Sequence, residues 1–143
     1  MTRCALVLLA ACLLAADKDD AAKADTKKFE GTWVMVSAID DGTKSSGSDL
    51  GETLLIVKGD THDVNVRGTT YKGTHKLDPA KKPKTIDVMD TEGPFKDKTL
   101  KGIYELSGDE FKFCYAPPGK DRPKDFTAAA GSGHHCHVWK RKK

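Results

Sequence analysis

The carboxyl-terminal segment carries the residues of this chain that are best suited to bind a metal ion. His134, His135, Cys136 and His137 are consecutive, and imidazole and thiolate groups are the usual ligands of zinc. On a β-strand, successive side chains alternate between two faces, so His135 and His137 share one face, opposite Cys136. Two ligands bind an ion weakly, whereas structural zinc sites use about four. We therefore predict a strand with no metal site, and keep a metal pair at His135 and His137 as an alternative.

Few other residues suggest catalysis. The serines of residues 45–48 lie in a Gly/Ser-rich loop without the nucleophile-elbow pattern, and neither a phosphate-binding glycine loop nor an HExxH motif occurs. His75, close to several tyrosines in the predicted interior, is the one candidate for acid–base chemistry, but such groups more often satisfy one another within a core. We expect a protein that is not an enzyme and needs no cofactor. The alternative is an enzyme that uses His75 or the His135/His137 pair.

The composition indicates one small domain rather than a nucleic-acid-binding protein. The chain has 143 residues and a net charge of +3, with lysines interspersed among acidic residues. That pattern is typical of a solvated surface, and only the terminal KRKK is a concentrated basic patch. We expect a monomer that does not bind nucleic acid.

The amino-terminal segment has the layout of a secretory signal peptide. Arg3 is followed by an apolar run that ends at Ala16, and this run is shorter than the ~20 residues that a membrane-spanning helix needs. Cleavage after Ala16 would release a periplasmic or extracellular protein. The alternative is that residues 9–12 form a lipobox, in which case a lipidated Cys12 would anchor the protein to the envelope.

The remainder divides into a short tether and one domain. Residues 17–28 are charged and rich in alanine, which predicts a solvated, flexible tether. Residues 29–143 contain short β-type runs separated by turn residues at a spacing typical of sandwiches and barrels. The predicted strands are 32–40, 53–58, 61–67, 70–77, 85–90, 98–106, 109–115 and 134–141.

Alternation within these strands predicts which side chains face inward. One face of each strand is apolar with polar tips, and glycines at positions 73 and 102 suit the bending that closure requires. Eight antiparallel strands that close on themselves give an interior that side chains fill or that holds one small ligand. We therefore predict an all-β, eight-stranded antiparallel up-and-down barrel. Its predicted ligand-binding residues are Tyr71, His75, Tyr104, Phe111, Phe113 and Tyr115.

The first and last strands carry a resemblance to a known family. Gly31-Thr32-Trp33 and Trp139-Lys140-Arg141 resemble the lipocalin-like arrangement, in which a tryptophan at the barrel base is covered by a basic residue of the final strand. Together with YKGTHKLDPAKKPKTIDV and EGPFKDKTLKGIYELSGDEFKFCYAPPGKDRP, the mature chain is similar to small exported lipocalin-like domains of planctomycete-type bacteria. The resemblance implies a fold, with Gly31, Trp33, Trp139 and Arg141 in structural roles, and implies no reaction.

Cys114 and Cys136 lie on the two strands that we expect to form the last hairpin. Export favours a disulfide between them. However, the phenylalanines around Cys114 point it outward, whereas Val138 suggests that Cys136 points inward, and diverging Cβ vectors cannot bridge. Alternation therefore favours two free cysteines.

Two hypotheses about function follow from the predicted barrel. In the first, the barrel binds a small apolar or amphipathic molecule, with aromatic rings supplying contact area and polar tips orienting the ligand. In the second, the barrel is filled, and its loops and basic tail bind a protein or an anionic envelope surface. The long loop of residues 116–133 suits either hypothesis, although we expect its basic residues, among them Arg122, to be merely solvated.

Overall fold

The computed structural model describes residues 6–143, and the side chains from Asp17 onward. The predicted cleavage site at Ala16 and the alternative lipidation of Cys12 lie outside the described side chains. The strands are β1 (Gly31–Asp40), β2 (Thr43–Ser46), β3 (Thr53–Lys58), β4 (Thr61–Val66), β5 (Thr69–Asp78), β6 (Thr85–Asp90), β7 (Thr99–Ser107), β8 (Glu110–Tyr115) and β9 (His135–Arg141). A helix, α1 (Leu6–Phe29), precedes them, and a 3₁₀ turn spans Gly47–Asp49.

Eight of these strands close into an antiparallel barrel. Each strand from β3 to β8 pairs with the next along the chain, and β1 pairs with both β3 and β9. The short β2 extends the end of β1 as a hairpin arm. The prediction of an all-β, eight-stranded up-and-down barrel is thus confirmed for the described part of the chain. We call the end with Gly31 and Arg141 the base, and the end with Asp40 and His135 the mouth.

The predicted inward faces are also confirmed. Along β5 the buried positions are Gly73, His75 and Leu77, and along β7 the alternating positions Leu100, Gly102 and Tyr104 are buried. The predicted hairpins at Gly59 and Gly108 have the positive φ that glycine adopts without strain. Alternating apolar residues therefore fill the lower half of the barrel, where a core cluster surrounds Trp33 and Phe111.

The segment predicted as a flexible tether is helical and docks on the barrel. Residues 17–28 belong to α1, and Asp25 is buried with its carboxylate 2.7 Å from both the Tyr104 hydroxyl and the Lys84 ammonium. Burial, followed by the hydrogen bond to Asp25, raises the pKa of Tyr104 well above its ordinary value. The buried Asp25 carboxylate and Phe29, at the end of the helix, hold α1 on the barrel. Neither residue creates the long apolar stripe by which a sequence indicates a docked helix, so the prediction missed it.

Arg141 closes the base of the barrel. Its guanidinium lies 4.2 Å from the ring centre of the fully buried Trp33 and donates to the carbonyls of Lys28 and Glu30 at 2.7 Å. A cation at the end of α1 thereby satisfies carbonyls that the helix leaves unpaired. Gly31 has φ +126°, and a Cβ there would lie 2.8 Å from the guanidinium, so the position needs glycine.

The expectation of free cysteines is wrong, because Cys114 and Cys136 form a disulfide. They are direct partners in the pairing of β8 with β9, and both lie on the outer face. Cys136 was assigned to the inner face because the apolar Val138 lies on the same side of the strand. Both residues are in fact on the outer face, where apolar side chains are covered. Residues of the long loop, including Ala128 and Phe126, pack over the disulfide in a second small core.

Arg122 fastens this long loop to the barrel and is not merely solvated. Its guanidinium donates to the carbonyls of Ile86 and Gly102 and forms an ion pair with Asp87 at 2.6 Å. The loop of residues 116–133 is therefore a cover over the outer face of β6–β9. Within residues 6–143 no helix combines the length and apolar character needed to cross a membrane.

Candidate ligand-binding site

The upper half of the barrel encloses a cavity of about 370 Å³. Its floor is formed by Phe29, Phe111 and Trp139 above the base, and its wall is mostly aliphatic and aromatic. Val66 and Phe95 line it at the mouth and are 37% and 38% exposed. The cavity is thus closed below and reached from solvent at the mouth.

Five of the six predicted ligand-binding residues line this cavity: Tyr71, His75, Phe111, Phe113 and Tyr115. Tyr104 does not line it, although the sequence placed it there. Its side chain points inward as predicted, but its hydroxyl is bonded to Asp25 of α1 below the cavity. The sequence could not indicate this because the helix that covers Tyr104 was predicted to be a tether.

His62 is a lining residue that the sequence analysis did not select. Its Nδ1 lies 3.1 Å from Nδ1 of His75, so one ring donates and the other accepts. A Cβ at Gly73 would lie 2.7 Å from Nε2 of His62, so the glycine makes room for this imidazole ring. Burial, and then the neighbouring His75, lowers the pKa of His62 to about 4. Burial also lowers the pKa of His75, and the pair is therefore neutral at pH 7. The signal available in the sequence was the alternation of THDVNV, which places His62 on the same face as Val64.

Two polar atoms of the lining residues have no hydrogen-bond partner among the described residues. They are Nε1 of Trp139 and Nε2 of His75, and both are buried. An unpaired buried donor typically costs about 1–3 kcal/mol relative to a paired one. The Trp139 indole can only donate, whereas the free His75 nitrogen donates or accepts according to its tautomer. Both residues line the cavity, but neighbouring atoms cover these two nitrogens, so a ligand would reach them only after nearby side chains shift.

The β6–β7 connection forms one side of the mouth. Gly93 lies so close to the ring of Tyr71 that a Cβ there would approach it to 2.6 Å, and Thr91 donates to the carbonyl of Lys72 at 2.8 Å. These contacts hold the connection, and with it Phe95, above the cavity. Asp90 also lines this region, and burial raises its pKa.

A polar cluster lies at the mouth beside the cavity. The carboxylate Oδ1 of Asp40 is 2.7 Å from Nδ1 of His135 and 3.0 Å from Nε2 of His137. The hydrogen bond from His137, with a weaker one from His135, holds the pKa of Asp40 at about 2, although partial burial acts in the opposite direction. The sequence correctly placed His135 and His137 on one face but missed Asp40.

A β-bulge explains why Asp40 was missed. The pairing of β1 with β9 shifts register between Met35 and Ser37, and the extra residue turns the later side chains of β1 to the opposite face. Strict alternation from Trp33 and Met35 places Asp40 outside the barrel. With the bulge, Asp40 lies directly opposite His135 on the inner face.

Comparisons of the chain with protein-family models, with curated proteins and with solved structures found no significant match.

Proposed function

We propose that the barrel is a binding protein for a small amphipathic molecule, held with its polar end deep and its apolar part toward the mouth. The observation that carries the proposal is the cavity of about 370 Å³ closed at the base. Pockets that hold small molecules usually measure about 300–1,000 Å³ and are lined mainly by apolar and aromatic side chains with a few polar atoms. The cavity favours this function over the alternative of a filled barrel that acts only through its surface.

The unpaired polar atoms support a ligand with an acceptor oxygen at its deep end. Trp139 belongs to the floor of the cavity, and its indole N–H has no partner in the described residues. A carbonyl or carboxylate oxygen would satisfy this donor after a small shift of the side chains that cover it, and the free nitrogen of His75 would complement a second polar atom in the same way. The neutral His62/His75 pair offers no positive charge, so the recognition proposed is by hydrogen bonding rather than by ion pairing.

The exposed apolar residues at the mouth support an apolar outer part. Val66 and Phe95 are more than one third exposed, and exposed large apolar side chains that rim a pocket often mark a binding site. A ligand whose apolar part reaches the mouth would cover them. We propose a binding role without catalysis.

The disulfide supports a location outside the cytoplasm. Disulfides persist in the periplasm and outside the cell, and are rare in the reducing cytoplasm. Together with the signal-peptide pattern of residues 1–16, the Cys114–Cys136 bond favours export. We propose that the protein acts there as a monomer, either free or anchored through Cys12.

The proposal is tested by titrating the protein with the fluorescent fatty acid cis-parinaric acid, with Val64→Trp as the test variant and Ile56→Trp as its control. Val64 lines the cavity, whereas Ile56 is exposed on the neighbouring strand. We expect saturable 1:1 binding by the wild type and by Ile56→Trp, and at least roughly ten-fold weaker binding by Val64→Trp, since added bulk would occupy the space of the ligand.

Circular dichroism of both variants checks that the barrel persists. Absence of saturable binding by the wild type, or equal loss in both variants, would contradict the proposal. Equal loss would mean that the probe binds the outer surface or the apolar amino-terminal segment.

A further inference from the structure

Three side chains at the mouth, beside the cavity, have the chemistry and spacing of a metal site. Asp40 ends β1, and His135 and His137 begin β9, the strand that pairs with β1 to close the barrel. One carboxylate oxygen and two imidazole nitrogens converge there, all within 4.8 Å of one another. No other such group of three occurs among the residues that the structure describes.

The backbone around these residues fixes their relative positions. The bulge in β1 places Asp40 directly opposite His135, and Ala38 opposite His137. The Asp41 N–H donates to the carbonyl of His134 at 2.9 Å, and the Gly133 N–H donates to the Asp41 carboxylate at 2.8 Å. These bonds join the end of β1 to the start of β9, so the three side chains are held by two hydrogen-bonded strands.

Tyr115 fixes the orientation of both imidazole rings. Its ring stacks on His135 at 4.9 Å between centroids and meets His137 edge-on at 5.4 Å. Aromatic pairs in these geometries are favourable beyond the area they bury. The rings therefore present Nδ1 of His135 and Nε2 of His137 to the same carboxylate oxygen without further ordering.

We propose that Asp40, His135 and His137 bind a divalent transition-metal ion, for which Zn²⁺ is the natural test. Zinc binds imidazole nitrogen and carboxylate oxygen at about 2.0–2.2 Å, and sites with three protein ligands leave a position for an exchangeable ligand. In a tetrahedral site, bonds of this length place neighbouring ligand atoms roughly 3.3 Å apart, so the observed 2.7 and 3.0 Å would lengthen by a few tenths of an ångström when an ion replaces the hydrogen bonds. Binding requires each ring to carry its proton on the nitrogen remote from Asp40.

The exposure of the three residues suits an ion that is taken up from solvent. The Asp40 and His135 side chains are 43% and 32% exposed, whereas His137 is 14% exposed and also lines the cavity. The ion would thus lie at the edge of the cavity. This inference is independent of the proposed function, since zinc alone is the probe.

The test is isothermal titration calorimetry of the tag-free protein with ZnCl₂. We expect one equivalent of zinc to bind the wild type. We expect His137→Gln and Asp40→Asn each to weaken binding by at least the roughly 10- to 100-fold that loss of a supporting partner typically costs. Both variants keep the size and hydrogen-bonding capacity of the original side chain, which limits the risk of misfolding.

His134→Gln is the matched control, because His134 immediately precedes the pair but does not belong to the cluster. It should bind zinc like the wild type. Imidazole resonances in NMR spectra provide a second readout, and those of His135 and His137 should shift on addition of zinc while those of His62 and His75 do not. The proposal is overturned if the wild type binds no zinc, or if His134→Gln weakens binding as much as His137→Gln.

Discussion

The base of the barrel and the cavity above it use the same residue types in opposite ways. At the base, Trp33 is fully buried and its indole N–H donates to the carbonyl of Phe29 at 2.9 Å. In the cavity, Trp139 is also buried, but its indole N–H has no partner among the described residues. The indole N–H of Trp33 is hydrogen-bonded within the core. That of Trp139 is buried and unpaired within the described part of the chain, which lowers the stability of the fold.

Charged residues show the same contrast. Arg141 at the base donates to two helix-end carbonyls and packs on Trp33, so its role is complete within the fold. At the mouth, the rings of His135 and His137 both contact one carboxylate oxygen of Asp40. Large apolar side chains also remain exposed there. The difference teaches that substitutions at the base should mainly change folding stability, whereas those at the mouth should mainly change binding.

The largest effect should come from removing the tryptophan of the base. We expect Trp33→Ala to lower the free energy of unfolding by about 3–5 kcal/mol, the usual cost of truncating a buried large aromatic residue. The variant also leaves the Phe29 carbonyl without its donor and the Arg141 guanidinium without the ring on which it packs. Urea denaturation followed by circular dichroism measures the change. A cost below about 1 kcal/mol would mean that the base contributes no more than ordinary surface.

A smaller effect should come from acidification through the His62/His75 pair. The pKa of His62 is about 4 in the folded protein, below its ordinary value of 6.5, so the unfolded chain binds more protons between these values. The free energy of unfolding is therefore intact above about pH 6.5 and falls as the pH decreases toward 4, by roughly 2 kcal/mol between pH 7.5 and 5. His75 changes in the same direction.

Urea unfolding at these two pH values, compared with that of His62→Gln, checks this expectation. The variant should lose much of the dependence on pH, because glutamine does not titrate. Asp40, whose pKa is about 2, contributes stability that is lost only below about pH 4, so it does not confuse the comparison. An unchanged slope in His62→Gln would show that another group is responsible.

The strands could be predicted from the sequence, because alternation is a local property. Where one face is buried, every second residue must be apolar, and the turn glycines mark where each strand ends. The eight predicted strands therefore agree with the observed ones to within about one residue at each end. The short β2 was missed because TKSS has no apolar alternation and reads as a loop.

Features that depend on partners distant in the chain could not be predicted. Asp25 is buried where its carboxylate accepts a hydrogen bond from the hydroxyl of Tyr104, 79 residues away, and a charged segment alone carries no sign of this. Asp40 reaches His135 only because of the bulge in β1. The disulfide was not predicted for a related reason. Because the outer face of β9 is covered, apolar residues there do not show which side chains point inward.

The smallest effect on stability should come from the mouth. Phe95 is 38% exposed, and substitutions of exposed side chains usually change the free energy of unfolding by less than about 0.5 kcal/mol. We expect Phe95→Ser to unfold like the wild type in urea. Its affinity for cis-parinaric acid should nevertheless fall roughly five-fold, which corresponds to about 1 kcal/mol of lost apolar contact.

Parallel urea and probe titrations of Phe95→Ser decide whether the two ends differ as argued. Met89→Ser is the matched control, because Met89 is 44% exposed but does not line the cavity. It should leave both stability and probe binding unchanged. If Phe95→Ser instead destabilises the barrel by as much as Trp33→Ala, the mouth is part of the core, and exposure there is no indication of a binding surface.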